Sequence, residues 1–182
     1  MKFASRVLLV IITASLMLLL PAARQGFAQA PAAVPQPDLA PALSLAEARA
    51  IIGGAIAFAR DNSFRLAVAV VDPAGNLISA DSMDGVRAND MRGAEGKAFA
   101  AAVFRQTTQD LSDLYKTRPD RYFGIINIYG SKVYLVGGGV PLAVDGKLVG
   151  GVGVAGLHQF VDEKAARAGI AAWEKMRGTS KK

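Results

Sequence analysis

The chain of 182 residues has no cysteine, one histidine and one tryptophan. Without cysteine there is no disulfide framework, zinc ribbon, iron–sulfur cluster or covalently attached c-type haem. A single histidine excludes any site that takes two imidazoles from one chain. Aromatic residues make up 7% and charged residues 20%, yet hydrophobic residues reach 52%, which is too many for a disordered chain. The length is that of one ordinary domain.

Acidic residues are missing from both ends. Residues 1–30 hold Lys2, Arg6 and Arg24, the last eight hold Lys175, Arg177, Lys181 and Lys182, and neither stretch has an acid. These ends account for the formal net charge of +6. The remaining chain carries 14 basic residues against 15 acidic ones, a net of −1. A nucleic-acid binder carries positive charge on its folded surface, so no nucleic-acid partner is expected.

There is one long apolar run, Val7 to Leu20, broken by Thr13 and Ser15 and ended by Pro21. Its fourteen residues follow a short basic segment and fall short of the roughly 20 that span a bilayer. Small residues follow at Gly26, Ala28 and Ala30. Residues 1–30 are therefore expected to be a signal peptide, cut after Ala28 or Ala30. Residues 31–42, with Pro31, Pro35, Pro37 and Pro41, read as an extended linker. The domain is expected over 43–176, with a basic tail at 177–182. A periplasmic or secreted location follows, with no stable membrane span after cleavage.

Ser44 and Glu47 have capping-box spacing, and Ala48, Ile51, Ile52, Ala55, Ile56 and Ala59 then recur at helical spacing. A first helix is expected to Asp61. Leu66–Val71 and Leu77–Ser82 read as strands joined by the turn residues Asp72-Pro73-Ala74-Gly75-Asn76. An Ala-rich helix runs from about Asn89 to Arg105. Thr107 and Asp110 cap a shorter helix to about Tyr115. Three strand segments are expected at Gly124–Tyr129, Lys132–Val136 and Leu142–Val154, the last folded back at Asp145-Gly146. A final helix runs from about Val161 to Met176. Strands joined by tight turns pair antiparallel, so an α+β domain of about five strands flanked by helices is expected.

Two phosphate-binding patterns are excluded by context. Gly151 to Gly156 reads G-x-G-x-x-G, but only 26 residues follow, too few for a helix and a returning strand with its acid. A Gly-rich strand packed closely by another backbone explains it instead. Gly96-Lys97-Ala98 lacks the upstream glycine and the following hydroxyl of a P-loop. No G-x-S-x-G elbow is present. Asp81, Asp84 and Asp90 lie around one turn and read as loop and cap residues; as oxygen donors they would suit a hard cation. His158, between the Gly-rich strand and the last helix, is the one strong nitrogen donor and is able to ligate iron. Arg118, Arg121 and Tyr122 form the densest basic cluster, suited to clamping carboxylates.

Together these segments resemble the GlcG/HbpS-like haem-binding family, from about Leu43 to Trp173. The resemblance rests on Val68-Ala69-Val70-Val71-Asp72 with Gly75, on Met83-Asp84-Gly85, and on Lys97-Ala98. Gly138-Gly139-Val140-Pro141-Leu142 and Gly150-Gly151-Val152-Gly153-Val154 complete it. It implies a profilin-like fold with an antiparallel sheet, assembly as a homo-oligomer and a haem or tetrapyrrole ligand. The chain departs from the family pattern at Ser82, at Ala100, where the family often has threonine, and at Ala155-Gly156-Leu157-His158.

The expected function is that of an exported, non-enzymatic haem carrier or sensor. His158 would be the iron ligand and Tyr122 a second donor. Arg118 and Arg121 would meet the propionates. Lys97, Gly138 and Gly139 would also face the ligand, although Lys97 reads equally as a snorkelling residue on the helix surface. The alternative is a small organic-acid-binding protein or enzyme. It would use Lys97 with Asp72 or Asp84, beside a Gly137-Gly138-Gly139 loop whose N–H groups hold a carboxylate.

Overall fold

The computed structural model describes residues 43–180. The expected signal peptide, the linker and the last two residues of the basic tail lie outside the described residues. Among those described, the order is α1 (Leu45–Asp61), β1 (Ala67–Val71), β2 (Leu77–Ser82), α2 (Ala88–Phe104), α3 (Thr108–Thr117) and α4 (Pro119–Tyr129). A 3-10 turn (Gly130–Lys132), β3 (Gly139–Val144), β4 (Lys147–Ala155) and α5 (Gln159–Ser180) complete it.

Local chemistry sets most boundaries. Ser44 caps α1 through the expected capping box, and the Glu47 carboxylate also accepts from Trp173 Nε1 (3.2 Å) and Arg177 (2.7 Å) on α5. Asp72 closes the β1–β2 turn by accepting from the N–H groups of Ala74 (2.8 Å) and Asn76 (2.9 Å). Asp145 and Gly146 both have positive φ, +51° and +75°, as a two-residue hairpin turn requires.

The four strands form one antiparallel sheet in the order β2-β1-β4-β3. β1 is buried on both faces. On one face Val68, Val70, Val152 and Val154 pack against α1 and α5, with Ile51, Ala55, Ala165 and Trp173 in the same core. On the other face Ala67, Ala69 and Val71 meet Ala94, Ala98 and Ala102 of α2. Small side chains on that face let α2 lie close to the sheet. A Cβ at Gly151 would sit 2.5 Å from the Ala98 carbonyl oxygen, and one at Gly153 would run into the Ala94 carbonyl. The G-x-G-x-x-G segment is thus a strand under a closely packed helix backbone.

The α+β architecture and the antiparallel sheet agree with the expectation; the strand count does not. Gly124–Tyr129 belongs to α4, Lys132 ends the 3-10 turn, and 133–136 does not join the sheet. The run Ile125-Ile126-Asn127-Ile128 has β-branched side chains, which favour strands. Helical spacing wins because Tyr122, Ile125, Ile126 and Tyr129 then share one face, packed on Ala100, Leu111, Val133 and Leu135. Pro119 starts the helix, where its missing N–H costs nothing. Val133 and Leu135 bury their side chains, and Tyr134 N–H donates to the Gly96 carbonyl of α2 instead of to a strand.

Candidate functional site

The close approach of α2 to β4 carries Lys97 into the interior. Its side chain and that of Asp162 are each 2% exposed. Lys97 Nζ donates to Asp162 Oδ2 (2.8 Å) and to the Val154 carbonyl (2.8 Å), and lies 5.6 Å from the Tyr134 ring centroid. The other carboxylate oxygen of Asp162 accepts from Leu157 N–H at 3.0 Å. Burial pushes the Lys97 ammonium down, opposed by the charge and hydrogen bond of Asp162. Burial likewise pushes the Asp162 carboxyl up, opposed by Lys97 and by the Leu157 N–H. At 2.8 Å the pair is a charge-assisted hydrogen bond in a dry setting.

The glycines complete this node. Gly138 has φ +123°, and a Cβ there would stand 2.9 Å from Lys97 Nζ and 2.7 Å from the Val154 oxygen. A Cβ at Gly139 would stand 2.5 Å from the Lys97 carbonyl oxygen. Thr108 at the start of α3 fixes the same loop. Its hydroxyl donates to the Val136 carbonyl (2.7 Å) and accepts from Gly139 N–H (2.8 Å). Lys97, Gly138 and Gly139 are therefore brought together, as expected for one site, but as an interlocked structural node. Lys97 does not snorkel. Nor does it face Asp72, whose carboxylate is taken up by its own turn. The residue paired with Lys97 is Asp162, and neither Asp72 nor Asp84 forms a hydrogen bond or ion pair with it among the described residues.

The node positions His158. Asp162 holds Leu157 through its carboxylate, and the N–H groups of Val161 (2.8 Å) and Asp162 (3.0 Å) donate to the His158 carbonyl. The His158 ring is exposed and lies 5.2 Å from the ring of Phe160, itself 58% exposed. Among the described residues the two imidazole nitrogens make no hydrogen bond.

Arg118, Arg121 and Tyr122 lie where α3 passes into α4. Arg118 is paired with Asp120 at 2.9 Å, both exposed. Arg121 is exposed and its guanidinium has no partner among the described residues. Tyr122 is half-buried between Tyr115 (centroids 5.0 Å) and Phe123 (5.6 Å), both well exposed. This corner is apolar and cationic at once. Among the described residues no hydrogen bond, ion pair or ring contact joins it to His158, so the structure does not bring these two groups together. The cation-site reading of Asp81, Asp84 and Asp90 also fails. Asp90 is engaged by Arg87 at 3.0 Å, and no group of three such ligands exists among the described residues.

Two residues of the node, Asp162 and Thr108, were not legible as functional in the sequence. Asp162 reads locally as a first-turn acid suited to the helix dipole, and Thr108 as a residue beside a cap. Nothing local connects Asp162 to a lysine 65 residues away.

A family model described as haem-degrading protein HbpS-like matches residues 43–171. Among curated proteins the chain is similar to an uncharacterised 15.0 kDa protein of the dhaT-dhaS intergenic region of Citrobacter freundii. The two are 28% identical over 114 residues, 63% of this chain and 80% of that one. GlcG of Escherichia coli K12 is 29% identical over 112 residues, 62% and 80% of the two chains. Among solved structures, a double mutant of HbpS from Streptomyces reticuli superposes with a TM-score of 0.67 at 31% identity, covering 79% of this chain and 97% of that one. A PduOC:heme complex gives 0.67 at 28% identity, covering 72% and 95%.

Proposed function

The chain belongs to the HbpS-like family, and from that membership we propose that it is an exported, non-enzymatic haem-binding protein with His158 as the iron ligand. The observation that carries this reading is the state of that imidazole: exposed, unengaged at both nitrogens, and flanked by Phe160. A neutral imidazole is an effective iron ligand, and an exposed aromatic ring offers apolar surface to a macrocycle. The similarity to a protein solved as a haem complex supports the ligand class.

The residues present fit the group. His158 would hold the iron, and the Lys97–Asp162 node would orient its loop. Tyr122 is the second donor, in an aromatic corner where Arg121 is free to meet a propionate. Arg118 is able to exchange Asp120 for another carboxylate, since an exposed pair is screened by solvent and weakly held. Bound haem would supply the iron chemistry; the chain binds and orients it. Among the described residues no helix is long and apolar enough to cross a membrane.

The test is haem titration of the purified protein, read in the Soret region. A saturable, sharpened band at near-stoichiometric haem is expected. His158→Ala should shift the band and weaken binding, and Tyr122→Phe should do so less. A featureless, non-saturating rise overturns haem binding. An unchanged spectrum and affinity in His158→Ala overturns its role as ligand. Export is checked by N-terminal sequencing, where a mature chain still starting at Met1 would refute it.

A further inference from the structure

A cavity of about 900 Å³ lies between the end of α1, the segment leading into β1, and the end of β2 with the turn after it, and His158 is not among its lining residues. Arg60, Arg65, Asp81 and Asp84 line it together with Phe64 and Met83, which give it apolar wall. Asp81 pairs across the sheet with Val68, so both point to the face that α1 covers, and Arg60 sits in the last turn of α1.

Two cations and two anions share this cavity, yet among the described residues none of the four forms an ion pair or a side-chain hydrogen bond. Exposed side chains of opposite charge close in space ordinarily pair, as Arg118 and Asp120 do here. Arg65 is also seated by the fold. Gly85 has φ +76°, and a Cβ there would stand 2.7 Å from a guanidinium nitrogen of Arg65. The glycine both makes the turn and leaves room for the cation. The volume falls within the range of small-molecule sites, about 300–1,000 Å³.

We infer that this cavity binds a small zwitterion with an apolar side chain, a free amino acid or dipeptide. Its carboxylate meets Arg60 and Arg65, its ammonium meets Asp81 and Asp84, and its side chain rests on Phe64 and Met83. A guanidinium takes a carboxylate through two parallel hydrogen bonds, and two carboxylates facing an ammonium satisfy its donors. A ligand of one charge sign would meet repulsion from half of the site. This inference does not depend on the haem reading.

The experiment is titration calorimetry on the haem-free protein with leucine and leucyl-leucine. Succinate serves as the doubly anionic probe and putrescine as the doubly cationic one. Saturable heat is expected from leucine or leucyl-leucine and none from the other two. Arg65→Ala and Asp81→Asn should each weaken binding by about tenfold to a hundredfold, the loss of one charged hydrogen-bonded contact. Both positions are exposed, so melting temperatures should stay near that of the parent. No saturable heat from either zwitterion would overturn the inference. So would succinate binding as tightly as leucine, or Asp81→Asn binding unchanged. Haem titration of Arg65→Ala should be that of the parent, which separates failure here from failure of the haem reading.

Discussion

Replacing Lys97 by methionine keeps most of the side-chain volume and removes the charge. Asp162 is then left 2% exposed with only the Leu157 N–H for its carboxylate. Breaking a buried pair by removing one partner costs about 3–5 kcal/mol. For a domain near this size each kcal/mol lowers Tm by about 3 °C, so a fall of about 10–15 °C is expected at pH 7. The cost comes from the stranded charge, and this gives the experiment its second arm. Adding Asp162→Asn removes that charge and keeps an oxygen for Leu157. The double variant should be more stable than the single one, with about 1–3 kcal/mol of the loss remaining for the unpaired Val154 carbonyl.

The pH dependence has a definite sign. In Lys97→Met the Asp162 carboxyl is pushed up by burial without the Lys97 cation to oppose it. A raised folded value means that the native state holds the proton more tightly than the unfolded chain. Stability is then fully present below the unfolded carboxyl value, near 3.8, and is lost as pH rises through the folded value. The deficit of the single variant against the parent should therefore shrink on acidification. Urea unfolding at pH 7 and pH 4 measures all three proteins. A single-variant loss below about 1 kcal/mol, or a double variant no more stable than the single one, would refute the account of the node.

Gly153→Ala should be among the most damaging single-methyl additions, because the new Cβ runs into backbone of α2 at the Ala94 carbonyl and the Ala98 N–H. A loss of about 3 kcal/mol or more is expected by calorimetry, and a neutral result would mean that α2 is free to move off the sheet. Asp72 is held below its usual value of 3.8: partial burial works against this, and hydrogen bonds from Asn76, Ala74 and Gly75 outweigh it. That stabilisation is present above the unfolded value and is lost as pH falls through the folded one. Asp72→Asn should accordingly flatten the acid limb of the stability–pH curve, and an unchanged limb would remove the turn from the explanation.

The signals written within a few residues were legible in the sequence. The Ser44–Glu47 box started α1, the Asp72–Asn76 turn joined β1 to β2, and Asp145-Gly146 made the last hairpin. The Gly-rich strand was legible as a strand packed closely by another backbone. The segment from 119 to 136 was misread because its β-branched residues carry a strand preference that only their packing overrides. Lys97 and the loop at Gly138-Gly139 could be grouped beforehand, but their chemistry could not.

What the sequence determined by itself is the α+β class, the element boundaries set by caps and turns, and the presence of a single imidazole in a loop. These are properties of residues one to four apart, or of composition, and need no knowledge of distant chain. The tertiary structure alone decided that Lys97 is buried against Asp162 and that Thr108 holds the Gly139 loop. It also decided that Arg60, Arg65, Asp81 and Asp84 face one cavity without pairing. Each of these depends on which strands neighbour one another and on how closely α2 settles on small residues of β4. Burial and partnership are properties of that packed arrangement, and a residue's local sequence does not encode them.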